Sequence, residues 1–307
     1  MPVALSLDGV SKRYGDFEAV RDLSFSADSG RICGFLGPNG AGKTSTLRMI
    51  LGLVVPSAGR INVLGADDGR KVRARIGFLP EERGLYRRMT PITAIAFLAA
   101  LKGVPRAEAK RRARMLLETH GLGEAMNRQI RALSKGMAQK VQLLSALAHE
   151  PELVILDEPF SGLDPVNQQE LESIIRALAA RGATVLFSTH VMQHAERLCD
   201  QVVLIAKGRK VFDGDVATAR AAAPRRLVLE GALDAAAVAG LPGLQEVVSQ
   251  DLDEGGRRIV AVLARGAPVQ EALRAAFARG LDITRFELKE PQLHDAFIVL
   301  TGAELAA

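Results

Sequence analysis

Gly37-Pro38-Asn39-Gly40-Ala41-Gly42-Lys43-Thr44 fits the phosphate-cradling pattern GxxxxGK[ST] at every fixed position, and its reading decides the fold around it. The mostly apolar run Arg31 to Leu36 before it is short enough for a buried strand, and Ser45 to Leu51 after it suits a helix. Strand, loop and helix in that order are what such a loop requires. Gly37, Gly40 and Gly42 permit positive φ and close backbone approach. Successive N–H groups, from Gly37 through Asn39, Gly40, Ala41 and Gly42 to Ser45, can then turn toward an anion at the positive end of the helix. Lys43 supplies a mobile charge for the outer phosphates of a nucleotide, and the Thr44 hydroxyl a ligand for magnesium.

At 307 residues, 48% of them hydrophobic, the chain is long enough for about two domains with a core in each. There is no Trp and there are only 2 Tyr, so stacking platforms for single-stranded nucleic acid are scarce, and no nucleic-acid partner is expected. The net charge of +5 is a mild excess spread along the chain. Its densest run, Arg106 to Arg114, reads as an exposed helix face, with anionic lipid headgroups as the other reading. Cys33 and Cys199 offer no metal-ligand spacing and suit a reducing cytosol. The start Met1 to Asp8 lacks the features of a signal peptide, and no stretch approaches the roughly 18 apolar residues of a spanning helix. A membrane part, if there is one, is expected on another chain.

Val3 to Leu7 and Leu23 to Ala27 alternate as half-buried antiparallel strands do, with Tyr14-Gly15-Asp16-Phe17 as a turn between them. On position alone Tyr14 fills the edge of that β layer. Strands are expected over Arg60 to Gly65 and Arg75 to Pro80. From Thr90, a cap with Pro91 in the first turn, to about Leu147 the pattern is helical. Strands return at Leu153 to Leu156 and Thr184 to Ser188 around a helix over Val166 to Arg181, which indicates a parallel sheet covered on both faces. A hairpin over Val202 to Phe212 closes this part, and the Ala- and Arg-rich segment Ala217 to Arg226 is a helix or linker. The remainder reads as strand, helix, strand, a turn at Asp253 to Gly256, strand, helix, strand, and a last helix over Pro291 to Thr301. That order suggests a small α+β domain of ferredoxin-like type. The expected fold is α/β: a cassette with a mixed sheet, an antiparallel β layer and a helical insertion (about 91–147), over residues 1–222, then an accessory or regulatory domain over 223–307.

The strand ending at Leu156 runs into Asp157-Glu158, at the sheet edge where ligands of open α/β sheets gather. Asp157 is placed to hold magnesium beside Thr44, and Glu158 to orient or deprotonate the water that attacks the γ-phosphate. His190, just past the strand Thr184 to Ser188, comes to the same edge and can sense the terminal phosphate. His120, His149, His194 and His294 read as structural or exposed. Leu133-Ser134-Lys135-Gly136-Met137 precedes a helix over Ala138 to Ala148 and reads either as a second anion site or as an ordinary N-cap.

Together these motifs resemble the nucleotide-binding subunit of the ATP-binding cassette (ABC) transporter family, over residues 3 to about 215. Gly37 to Thr44 resembles its Walker A motif, Leu153 to Glu158 its Walker B with the catalytic glutamate, Ser161 to Asp164 its D-loop, and Ser188-Thr189-His190 its switch histidine. Tyr14 falls where the family stacks an aromatic on adenine. The signature, usually Leu-Ser-Gly-Gly-Gln, here reads Leu133-Ser134-Lys135-Gly136-Met137. A glutamine common after strand Ile76 to Leu79 is replaced by Pro80-Glu81-Glu82, where Glu81 can still ligate magnesium. The resemblance implies ATP and Mg2+ as cofactors and a head-to-tail homodimer in which ATP lies between Lys43 of one copy and Ser134 of the other. It also implies a separate transmembrane permease touched by residues 91–147 and Glu81 to Arg88, and a place on the cytoplasmic face of the membrane. The trailing segment Glu290 to Phe297 is similar to that of bacterial exporters of sodium, drugs and antibiotics, which favours export. A soluble cassette ATPase acting on ribosome or DNA, and a nucleotide-gated regulatory module, are the alternatives.

Overall fold

The computed structural model describes residues 2–82, 84–251 and 256–302. Arg83 and most of the expected turn at Asp253 to Gly256 lie outside them. The chain divides into two compact units at Val216/Ala217.

The first unit opens with a hairpin of β1 (Val3–Tyr14) and β2 (Phe17–Asp28), closed where Tyr14 pairs with Phe17. Both strands are longer than their alternation predicts, because register shifts between Leu7, Val10 and Lys12 interrupt the two-residue period. After β3 (Ile32–Leu36) and α1 (Lys43–Ile50), β4 (Ala58–Val63) adds to β1 and completes an antiparallel layer in the order β2-β1-β4. Next come β5 (Ile76–Leu79) and the helices α2 (Pro91–Leu101), α3 (Arg106–Thr119) and α4 (Lys135–Leu147). Thr90 caps α2 through a bond from the Thr93 N–H, with Pro91 in the first turn, as the sequence indicates. Then follow β6 (Leu153–Asp157), α5 (Pro165–Ala180), β7 (Thr184–Thr189), α6 (Met192–Leu198) and the hairpin β8 (Gln201–Ala206) and β9 (Arg209–Gly214).

The main sheet runs β5-β6-β7-β3-β8-β9, parallel except for β9. Strands β3, β6 and β7 are buried along their whole length, which is why they read as apolar runs and not as alternating ones. The core between the two layers contains Leu5, Leu23, Phe25, Phe35, Ile155 and Leu186, with Phe25 and Phe35 stacked 5.4 Å apart. Each such side chain stabilises the fold by about 1.5–3 kcal/mol on burial. The helices α2, α3 and α4 make their own core from Ile95, Ala113, Leu117 and Leu144. The basic run on α3 is partly neutralised within the chain, since Glu108 pairs with Arg111 and Arg112, each at 2.7 Å.

The short helix α7 (Val216–Arg220) opens the second unit. That unit comprises β10 (Arg226–Ala232), α8 (Ala235–Ala239), β11 (Leu244–Asp251), β12 (Arg257–Leu263), α9 (Val269–Ala278), β13 (Asp282–Lys289) and α10 (Leu293–Thr301). Its sheet is antiparallel in the order β11-β12-β10-β13, the split βαβ arrangement, in which β12 separates the two strands joined by α8. Leu227, Leu229, Ile259, Ala272 and Ala276 form its core. No helix among the described residues is long and apolar enough to cross a membrane.

Candidate functional site

Sheet order places the chemistry. In β6-β7-β3, Asp157 pairs with Ser188 and Leu36 with Thr189, so the carboxyl ends of three neighbouring strands deliver Asp157-Glu158, His190 and the Gly37 loop to one edge. The loop is built at close quarters. The Gly37 N–H donates to the Thr189 carbonyl at 3.3 Å, and a Cβ at Gly37 would sit 2.3 Å from the Ile205 carbonyl oxygen. Gly42 has φ +101°, and a Cβ there would come within 2.5 Å of the Ala19 oxygen. No side chain caps α1 at Gly42, so among the described residues the first-turn amides of Lys43, Thr44 and Ser45 have no side-chain capping partner. Asn39 and Gly40 are exposed at the tip, and Ala41 is buried beneath it.

Lys43 is less mobile than the sequence suggests. Its side chain is 7% exposed, and Nζ donates to the carbonyls of Gly37 (2.8 Å) and Pro38 (3.3 Å). Burial explains this: a desolvated ammonium needs acceptors on every side. It also lies 3.3 Å from Glu158 Oε1. Glu158 sits at φ +47°, a left-handed conformation costly for a non-glycine residue, while its N–H reaches the Ser188 Oγ at 3.1 Å. Its Oε2 meets His190 Nδ1 at 3.0 Å, and its buried Oε1 accepts no hydrogen bond. Ser188 Oγ in turn donates to Asp157 Oδ1 at 2.5 Å. Ser188 therefore ties both acids together, a role that becomes visible only once β6 and β7 are paired.

Beside this cluster lies a cleft of about 320 Å³ bounded by Glu81, Glu82, Lys135, Gln142, Asp157 and Glu158. Glu81 is thus brought to the mouth of the acid pair. Gln142, on α4, holds the Glu82 carbonyl at 3.1 Å, and Gln139 holds the Pro159 carbonyl at 2.8 Å; neither was legible in sequence, because each acts through backbone far along the chain.

In the segment 133–137 the N-cap reading is the one observed, with the helix starting earlier than expected. The helix starts at Lys135 and not at Ala138, because Ser134 Oγ accepts the Met137 N–H at 3.2 Å as an N-cap. Lys135 is exposed and its Nζ lies over Gly162, where an added Cβ would be 2.4 Å away. Gly136 faces the Asn167 side chain, and Met137 packs against the helical core. Asp164 caps α5 through the Asn167 N–H at 2.9 Å, and its bonds with Asn167 hold its carboxyl below the usual range. The Tyr14 ring is 45% exposed, with the Lys12 ammonium 5.1 Å from its centre.

His194 and the cysteines serve the fold, and His294 is exposed. His194 stacks on Phe160 at 3.9 Å and meets Glu172 at 3.3 Å, and burial lowers its pKa. Both cysteines are free, with burial pushing their thiols up. The described residues contain no group of His, Cys, Asp and Glu arranged to hold a metal by itself.

Residues 20–161 match the family model of the ABC transporter. The chain is 37% identical over 300 residues to an uncharacterized ABC transporter ATP-binding protein, YhaQ, of Bacillus subtilis, covering 97% of this chain and 99% of the relative. It is 36% identical over 310 residues to Nod factor export ATP-binding protein I of Rhizobium leguminosarum bv. viciae, covering 99% and 96%. A solved ATP-binding subunit of an ABC transporter superposes with a TM-score of 0.66 at 34% identity, over 71% of this chain and 92% of its own. The cbiO1 protein of Clostridium perfringens, part of the ABC transporter complex cbiONQ, gives 0.64 at 25% over 70% and 89%. The chain belongs to the ABC transporter family, as one of its ATP-binding and ATP-hydrolysing subunits.

Proposed function

We propose that this subunit drives export: two copies close head to tail on ATP, hydrolysis reopens them, and a separate transmembrane permease converts the cycle into transport. The direction is supported by full-length similarity to relatives that bear the name of Nod factor export proteins. The protein then sits on the cytoplasmic face of the membrane through its permease, with the second unit as an accessory domain.

One observation carries the catalytic reading. Glu158 is 8% exposed, yet Oε1 accepts no hydrogen bond while Oε2 is held by His190. The Lys43 ammonium balances the charge on Oε1 from 3.3 Å without hydrogen-bonding to it, and a water entering the cleft supplies that hydrogen bond. Glu158 accepts one proton of this water as its oxygen bonds to the γ-phosphorus. The bond from that phosphorus to the bridging oxygen breaks, releasing ADP and phosphate. His190 keeps Oε1 turned toward the water. Lys43 exchanges its contact with Glu158 for the outer phosphate oxygens, and the amides from Asn39 to Ser45 cradle the rest. The oxygens of Thr44, Asp157 and Glu81 suit Mg2+, which when bound neutralises charge on the phosphate oxygens. Tyr14 stacks on adenine. Ser134, Lys135, Gly136 and Met137 of each copy, with Asp164, face the nucleotide of the other.

Glu158→Gln keeps the shape and removes the base. ATP binding is expected to persist while turnover falls by about a hundredfold or more and an ATP-bound dimer accumulates on gel filtration. Undiminished phosphate release by this variant refutes the assignment.

A further inference from the structure

The second unit encloses a cleft of about 560 Å³ that no step of ATP turnover uses. Arg220, Arg225 and Arg265 line it, with Glu290 as the one carboxylate and Gln245 and Leu263 on its walls. Three cations against one anion contrasts with Arg226, which pairs with Asp295 at 3.1 Å, and with Arg258, which pairs with Glu230 at 3.7 Å. Among the described residues no carboxylate comes within ion-pair distance of the three lining arginines.

Two of them are also held in place. Arg220 Nε donates to the Pro291 carbonyl at 2.7 Å, and Arg225 Nη2 to the Ala267 carbonyl at 2.9 Å. Each guanidinium thereby commits one N–H to backbone and keeps its other donors for something else. Arg265, exposed on the turn after β12, adds the third charge. Pre-positioned guanidinium forks match phosphate and carboxylate oxygens and lose little freedom on binding them. The volume lies within the range of about 300–1,000 Å³ typical of small-molecule sites.

We propose that this cleft binds a small soluble polyanion, one bearing phosphate or clustered carboxylate groups and no larger than a nucleotide. The test uses the full chain carrying Lys43→Ala, so that the phosphate loop does not compete, titrated calorimetrically with pyrophosphate at low salt. One saturable site per chain is expected, weakened about tenfold or more by Arg265→Glu and lost on addition of Arg225→Gln. Among the described residues the Arg265 side chain makes no hydrogen bond that its replacement would break, and a melting curve unchanged by Arg265→Glu separates lost binding from lost fold. Absence of saturable binding, or binding that Arg265→Glu leaves unaltered, overturns the proposal. So does Arg265-dependent flotation with phosphatidylglycerol vesicles in a protein that fails to bind pyrophosphate, because the ligand would then be a lipid surface.

Discussion

Ser188 shows how one hydroxyl organises a catalytic edge. It donates to Asp157 Oδ1 at 2.5 Å and accepts from the Glu158 N–H at 3.1 Å, so it fixes one acid by its side chain and the other by its backbone. Without it, the Glu158 N–H keeps only the Ser188 carbonyl, at 3.2 Å, where the residue adopts its left-handed turn, and Asp157 Oδ1 loses its hydroxyl donor. Ser188→Ala is expected to lower kcat about tenfold or more while the KM for ATP changes little, because the phosphate loop is untouched. Steady-state kinetics check this; a change confined to KM counts against a positioning role for the hydroxyl. Lys43 and Glu158 form a pair with both side chains below a tenth exposed. Glutamine and alanine at Glu158 both leave the Lys43 ammonium without its counter-charge, but glutamine keeps the side-chain volume and a carbonyl acceptor, which is why Glu158→Gln is the informative substitution.

At the scale of elements, α4 is the joint between the helical subdomain and the acid cluster. One side of it buries Val141 and Leu144 against α2 and α3, while Gln142 holds the Glu82 carbonyl and Gln139 the Pro159 carbonyl. Leu144 is fully buried, and Leu144→Ala is expected to cost about 2–5 kcal/mol, read from the urea midpoint. A loss well under 1 kcal/mol would mean that this core does not hold the subdomain. Gln142→Met conserves volume but removes the donor. It is expected to leave the melting temperature nearly unchanged and to reduce ATPase turnover severalfold, since the loop carrying Glu81 and Glu82 loses its tether. Equal turnover in the variant and the parent would show that the tether is without consequence for catalysis.

For the whole molecule, acid stability is set in part by His149 at the end of α4. Its Nε2 meets the Ile76 carbonyl at 3.1 Å while Nδ1 is buried without a partner, and burial lowers its pKa from 6.5 to about 4. The folded chain refuses a proton that the unfolded chain takes near 6.5, so between those values the unfolded state binds more protons. Stability contributed by neutral His149 is therefore present above the unfolded value, falls as pH drops from about 6.5 to about 4, and changes no further below that. Urea midpoints measured across this window should fall in the parent and flatten in His149→Gln. An unchanged slope in the variant would assign the acid sensitivity to other groups.

The sequence by itself determined the phosphate loop, the acid pair, His190, the parallel sheet and the βαββαβ order of the second unit. These depend on local patterns: glycine spacing, buried apolar runs and capping residues act within a few positions of where they are read. Only the tertiary structure decided that Ser188 bridges Asp157 and Glu158, that Lys43 is pinned and not mobile, that Ser134 spends its hydroxyl on a helix start, and that three arginines without carboxylate partners among the described residues share one cleft. Each of those depends on which strands and loops become neighbours across a long separation in the chain. Such pairing follows from how whole faces bury together, a property that no single stretch of residues carries.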